Sequence, residues 1–224
     1  GTTILTANNT YQGTTTVNAG ILLINGNQSG AIGDVTVKTG ATLGGTGTVG
    51  NLVDTDTLIE NGGTLTAGTV AVGVPVAGNL GTLTFNGDLT LQSTSSIWLV
   101  DLVQGTGADR INVGGNLNLN GATLDINFGD AFTPFEVYTI AQYGIGLAGA
   151  GPFLSGEFDG WVDGQTIGNY TISYGDGSAG SFITLTAVPE PGTFGLLGLA
   201  LAGFFFCRIR KRRAEAVASV GAGE

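Results

Sequence analysis

Thr39-Gly-Ala-Thr-Leu43 and Asn61-Gly-Gly-Thr-Leu65 are two copies of one phrase: a turn residue, then Gly or Ala, then Thr-Leu. Looser copies stand at Asn18-Ala-Gly-Ile-Leu22, Asn79-Leu-Gly-Thr-Leu83 and Asn120-Gly-Ala-Thr-Leu124. With Gly20, Gly40, Gly62, Gly81 and Gly121 as markers, the steps are 20, 22, 19 and 40 residues, the last read as two steps with a degenerate copy between. A period near 20 residues marks a solenoid, in which each turn buries its apolar face against its neighbours.

The residues around these phrases say which solenoid. Thr14 to Val17, Val35 to Val37, Thr82 to Phe85, Asp88 to Leu91 and Asn116 to Leu119 alternate small polar with apolar residues, the period-2 pattern of strands buried on one face. Asn25-Gly26, Asn61-Gly62, Asn86-Gly87 and Asn120-Gly121 lie between such stretches and suit the positive φ of tight corners. No stretch before Pro189 sustains a 3.6-residue period. The expected fold class is therefore all-β, with about three short strands per turn of a parallel β-helix. A β-sandwich is the rival, but hairpins do not require a constant period.

Composition removes several function classes. The 224 residues include 41 Gly, no His and one Cys. Without imidazole there is no serine triad, no Cys/His dyad and no His-ligated zinc or haem. One Cys makes neither an internal disulfide nor a thiolate cluster. The 42% hydrophobic content argues against disorder. Residues 1–187 carry 14 Asp or Glu against Lys38 and Arg110, a net of −12, which argues against nucleic acid as a partner.

After Leu124 the rhythm changes. Phe128, Phe132, Phe135, Tyr138, Tyr143, Phe153, Phe158, Trp161, Tyr170, Tyr174 and Phe182 crowd residues 125–187, and Phe135 to Ala141, Asn169 to Tyr174 and Ser181 to Ala187 read as longer strands. The expectation is a β-rich cap over the last coil, its aromatics in the core rather than stacked on sugars. Carboxylates are the remaining catalytic candidates: Asp54 with Asp56, Asp125 with Asp130, and Asp159 with Asp163. Paired acids in glycoside chemistry need a defined separation and one raised pKa, and no spacing here establishes either. The expectation is a solvated acidic surface, with no catalytic residue. Asp101, Asp109 and Asp176 stand in Gly-rich surroundings too short to define an oxygen-ligand site, so no metal or cofactor is expected. Asn8-Asn-Thr10, Asn27-Gln-Ser29 and Asn169-Tyr-Thr171 fit a glycosylation triplet that an Asn- and Thr-rich chain contains by chance.

The C-terminal segment reverses the charge. Thr193 to Cys207 reads TFGLLGLALAGFFFC, and Arg208, Arg210, Lys211, Arg212 and Arg213 follow at once. As a helix the apolar run would be roughly 23 Å long, extended by Ile209 with Arg208 snorkelling. Its eight Leu and Phe side chains favour insertion by a few kcal/mol. One transmembrane helix is expected, with the basic cluster cytoplasmic and the acidic body across the membrane. Cys207, at the inner end, reads as a small apolar residue. Val188-Pro189-Glu190-Pro191, the apolar run and Arg208 to Arg213, taken together, resemble the PEP-CTERM sorting signal of Gram-negative bacteria. That resemblance implies recognition and processing by an exosortase-type membrane protease during export. It makes Pro189, Glu190 and Pro191 the processing motif. The tail from Ala214 to Glu224 continues eleven residues past the usual end of such signals.

Gly13-Thr-Thr-Thr-Val-Asn-Ala-Gly20, Gly40-Ala-Thr-Leu-Gly-Gly-Thr-Gly-Thr-Val49 and Gly81-Thr-Leu-Thr-Phe-Asn-Gly87 resemble the autotransporter-associated β-strand repeat of bacterial surface passengers. This implies a right-handed β-helix; the membrane barrel of ~10-residue strands that ends a true autotransporter is not expected within residues 125–224. The expected organisation is repeats over 1–124, cap over 125–187, sorting signal with its helix over 188–213, and tail over 214–224. The N-terminal GTTILTANNT has neither Met nor a signal peptide, so a leader or further chain is expected upstream. The expected function is that of an exported, non-enzymatic surface or extracellular-matrix protein. It would be anchored in the inner membrane before processing, with extracellular polysaccharide as a further candidate partner. An adhesin with a specific ligand and a β-helix polysaccharide lyase or hydrolase are the alternatives.

Overall fold

In the computed structural model, residues 1–51, 55–69, 79–128, 133–145 and 152–189 are described. The chain divides into two units, Gly1–Ala187 and Val188–Glu224.

The first unit is all-β among its described residues, and short strands recur in a fixed order on three sheets. Sheet A takes β1 (Thr2–Leu5), β3 (Gly20–Ile24), β5 (Ala41–Gly44), β8 (Thr64–Leu65), β11 (Ile97–Val103) and β15 (Thr123–Phe128). Sheet B takes β2 (Thr15–Val17), β4 (Val35–Val37), β7 (Thr57–Ile59), β10 (Leu89–Leu91), β14 (Leu117–Asn118) and β17 (Leu154–Ser155). Sheet C takes β6 (Thr48–Val49), β9 (Thr82–Phe85), β13 (Arg110–Val113) and β16 (Val137–Gln142). The chain visits B, then A, then C, and neighbours within each of these rows pair in parallel.

The register explains the sequence pattern. Leu22, Leu43, Leu65, Trp98 and Leu124 are successive partners across sheet A, all buried, so the Leu of the repeated phrase forms one inward ladder. Val17, Val37, Ile59 and Leu91 form its counterpart on sheet B. Thr82 to Phe85 alternates as expected, with Leu83 and Phe85 inside. Gly20, Gly40, Gly62 and Gly121 share a left-handed φ of 72–78° at the corner before sheet A, which an L side chain adopts only with strain.

The marker at Gly81 is a correction. Its Thr82-Leu83 lies on sheet C, where Leu83 pairs with Ile111, and the sheet A position of that coil is held by Ser96-Ile97-Trp98. Along sheet A the true partners are Thr2, Ile21, Thr42, Thr64, Ile97 and Thr123, so the coil between Thr64 and Ile97 is much longer than 20 residues. The extra length falls between sheets A and C, where residues 70–78 lie outside the described residues. At Gly87 the need is close approach rather than a left-handed φ, because a Cβ would overlap the Thr55 carbonyl oxygen of the preceding coil.

After β16 the pairing turns antiparallel. β20 (Phe182–Ala187) pairs with β16 across a bulge between Thr139 and Ala141, and β19 (Tyr170–Ser173) and β18 (Thr166–Ile167) extend sheet C. Most aromatics of this segment are core, as expected. Trp98 meets Phe158 edge-on at 5.4 Å, and the Tyr174 hydroxyl accepts from the Phe158 N–H and donates to the Trp161 carbonyl, both at 2.9 Å. Phe135 and Phe182 are exceptions, 65% and 43% exposed. No buried side-chain nitrogen or oxygen among the described residues lacks a partner.

Candidate functional site

Stacking brings together acids that are far apart in sequence. Asp34, Asp56 and Asp88 each immediately precede a sheet B strand, and Asn116 continues their column. The Asp56 N–H donates to Asp34 Oδ1 at 3.0 Å, and the Asn116 N–H donates to Asp88 Oδ1 at 2.7 Å, so carboxylates fasten one coil to the next. They border a cleft of about 340 Å³ with Thr36, Leu58 and Thr90. Partial burial, then repulsion from Asp88 and Asp34, raises the Asp56 pKa above the usual carboxylate range. This column was not read from the sequence, although Asp34-Val-Thr-Val37 and Asp88-Leu-Thr-Leu91 share one pattern; Asp56-Thr-Leu-Ile59 has its Thr and Leu exchanged.

The pairs singled out from sequence fare differently. Asp54 and Asp130 lie outside the described residues. Asp125, Asp159 and Asp163 are exposed, and Asp163 accepts the Tyr174 N–H at 2.8 Å. Asp101 and Asp109 are buried, 2% and 1% exposed, in the hairpin between β11 and β12 (Gly107–Ala108). Asp109 accepts the Gly81 N–H at 2.9 Å and the Asp101 N–H at 3.4 Å, while Asn127 donates to Asp101 at 3.0 Å. Desolvation pushes the Asp109 pKa up to about 7, a value suited to acid-base work in a location closed to substrate. Among the described residues, no group of three or more His, Cys, Asp or Glu side chains could hold a metal ion. Asp176 is exposed in a Gly-rich turn.

The C-terminal exit is built by β20. Its last residue, Ala187, accepts the Phe135 N–H at 2.6 Å and donates its own N–H to the Glu136 carbonyl at 2.8 Å. Val188 and Pro189 then leave regular structure, as expected where a proline offers no N–H to a ladder. Glu190, Pro191, the apolar run Thr193 to Cys207, and Arg208, Arg210, Lys211, Arg212 and Arg213 lie outside the described residues. Among the described residues no helix is long and apolar enough to cross a membrane.

Where the strands stop, a family match begins. Residues 187–212 match the family described as the PEP-CTERM protein-sorting motif. The match starts at the last residue of β20 and covers the Pro-Glu-Pro residues, the apolar run and most of the basic cluster. The chain is also 42% identical over 144 residues to the adhesin BmaC autotransporter of Brucella suis biovar 1 (strain 1330). That alignment takes in 64% of this chain and 4% of the relative. No solved structure matches the chain.

Proposed function

We propose that this protein is an exported, non-enzymatic surface protein whose acidic β-structured body is delivered to the cell envelope through its C-terminal sorting motif. The observation that carries the proposal is the PEP-CTERM match at residues 187–212, which starts where the ordered strands end. On this reading the three sheets close as a right-handed parallel β-helix over 1–124, and residues 125–187 cap its last coil. Residues 188–213 hold the chain in the inner membrane until an exosortase-type protease acts at Pro189-Glu190-Pro191. Proline offers no N–H to a ladder and disfavours helix at the residue before it, and Glu190 supplies one charge for a protease Arg or Lys to read. Arg208, Arg210, Lys211, Arg212 and Arg213 hold the other end cytoplasmic.

Display of polar coil faces to extracellular polysaccharide or to neighbouring cells is the mechanism. The adhesin variant of this reading, with a defined ligand, is favoured by the 42% identity to a protein named as an adhesin. Fractionation of an exosortase-bearing Gram-negative host tests the proposal. The body should be found at the cell surface or in the matrix, accessible to added protease in intact cells. Retention of all material in the cytoplasm would refute it.

A further inference from the structure

The loop between β19 and β20 is held open over a groove. Gly175, Gly177 and Gly180 all take left-handed φ of 75–79°, and the buried Tyr143 hydroxyl donates to the Tyr174 carbonyl at 2.6 Å and accepts the Gly177 N–H at 3.2 Å. The groove, about 460 Å³, is lined by Ser173, Asp176, Ser178, Ser181, Phe182 and Thr184. Asp176 Oδ1 accepts from the Ser178 N–H at 3.0 Å, the Ser178 hydroxyl at 2.6 Å and the Ser181 hydroxyl. These bonds hold its carboxyl down to about 2, so it is ionised at any physiological pH. All three bonds fall on one oxygen. Asp176 also lines the groove, where its charged carboxylate is available as an acceptor.

Phe182 forms the groove's apolar wall and is 43% exposed, on the outer face of β20 opposite the buried Ile183. The Arg110 guanidinium lies 5.6 Å from its ring centroid, with its other contacts to the amides of Asn112 and Gln142. Gln142 in turn donates to the Gly180 carbonyl at 3.1 Å, tying the platform to the loop. Arg110 makes no ion pair among the described residues, whereas Lys38 pairs with Glu60.

We propose that this groove is a subsite for a neutral hexopyranose unit of a polysaccharide, its C–H face on Phe182 and a hydroxyl donating to Asp176 Oδ2. An exposed ring supplies apolar contact at small entropic cost, and a fixed carboxylate is a strong acceptor for hydroxyl groups. Neutral sugar is favoured over a polyanion by charge. Asp176 stands inside the groove, and residues 1–187 carry 14 acids against two cations. The inference rests on the surface-display reading and names the partner that reading leaves general.

Affinity electrophoresis of the full chain in detergent tests it, with gels containing galactomannan, a β-glucan or alginate, and calorimetry with calcium chloride alone as a separate arm. A neutral polysaccharide should retard the wild type. Phe182→Ala and Asp176→Asn should each weaken that retardation roughly tenfold, with the far-ultraviolet β signal retained because both residues are exposed. Phe182→Trp should keep it, and Thr36→Ala on sheet B should leave it unchanged. Retardation by alginate alone, calcium binding without saccharide binding, or equal retardation of wild type and both variants overturns the subsite. Absence of any retardation also overturns it, and if the body still reaches the cell surface, the display reading stands without this ligand.

Discussion

Asp109→Asn tests how the coils hold a buried charge. Asp109 is 1% exposed, and the carboxylate whose charge acts on it is Asp101 on the same hairpin. Among the described residues no cation acts on it, and Arg110 turns toward Asn112 and Gln142. Burial, with Asp101 adding to it, lifts the pKa from 3.8 to about 7 against the opposing hydrogen bonds from Gly81, Asp101 and Thr66. The folded state therefore keeps a proton that the unfolded chain has lost between about pH 4 and pH 7. Folded-state affinity for a proton exceeds that of the unfolded state, so stability falls as pH rises through this window. A rise from 3.8 to about 7 is worth on the order of 4 kcal/mol, fully lost only above pH 7. For a chain of this size that is roughly 8–16 °C in Tm. Asp101 and Asp56, both raised, act in the same direction, while Asp176, held down, acts in the opposite direction, its stabilisation present at pH 5 and pH 8 alike and lost only in acid. Thermal melts at pH 5 and pH 8 should show the wild type melting lower at pH 8. Asp109→Asn should lose about 1–3 kcal/mol at pH 5, where its amide faces the Asp101 N–H, and lose most of the pH slope. An equal slope in both proteins, or a wild type more stable at pH 8, would refute the reasoning.

Leu83→Asp should destabilise the body by several kcal/mol and Thr82→Asp by little, since Leu83 is wholly buried and Thr82 is not; chemical denaturation of both variants checks it, and equal midpoints would place the register one residue out. Gly87→Ala should cost more than Gly160→Ala, because its Cβ would meet the Thr55 carbonyl oxygen while that of Gly160 meets nothing within 4 Å, leaving only strain from its φ of 74°. Far-ultraviolet dichroism in excess chelator should retain the β signal, because the inward ladders are aliphatic and aromatic; loss of that signal on chelation would count against a metal-free core.

Local pattern carried the strands and the corners. Thr15–Val17, Val35–Val37, Thr82–Phe85 and Leu89–Leu91 fall on the alternating stretches, because one face of each meets the core. What local pattern could not carry was which sheet a phrase belongs to. Gly81-Thr-Leu83 and Gly40-Ala-Thr-Leu43 read alike, yet one lies on sheet C and the other on sheet A, because a strand of either sheet needs the same small-polar and apolar alternation. Insertions between sheets then shift the count without changing the phrases, so the period near 20 held only for the first coils. The Asp34, Asp56 and Asp88 column escaped for a related reason: its members come from different coils, and register alone brings them together, while the burial of Asp101 and Asp109 depends on partners from other coils, Asn127 and Gly81. The sorting motif, by contrast, is linear, and its Pro-Glu-Pro, apolar and basic parts were all visible in order.

The mass of the mature C-terminus is the most direct test of the central claim. The full chain and a variant with Pro189, Glu190 and Pro191 all replaced by Ser should be expressed in a host carrying the cognate exosortase, and their C-terminal peptides identified by mass spectrometry of envelope and extracellular fractions. The account predicts that the wild type loses the segment from Thr193 to Arg213 and leaves the inner membrane, while the variant keeps that segment and stays there. Identical C-termini in the same fraction would contradict it and leave a protein with no processing at this motif.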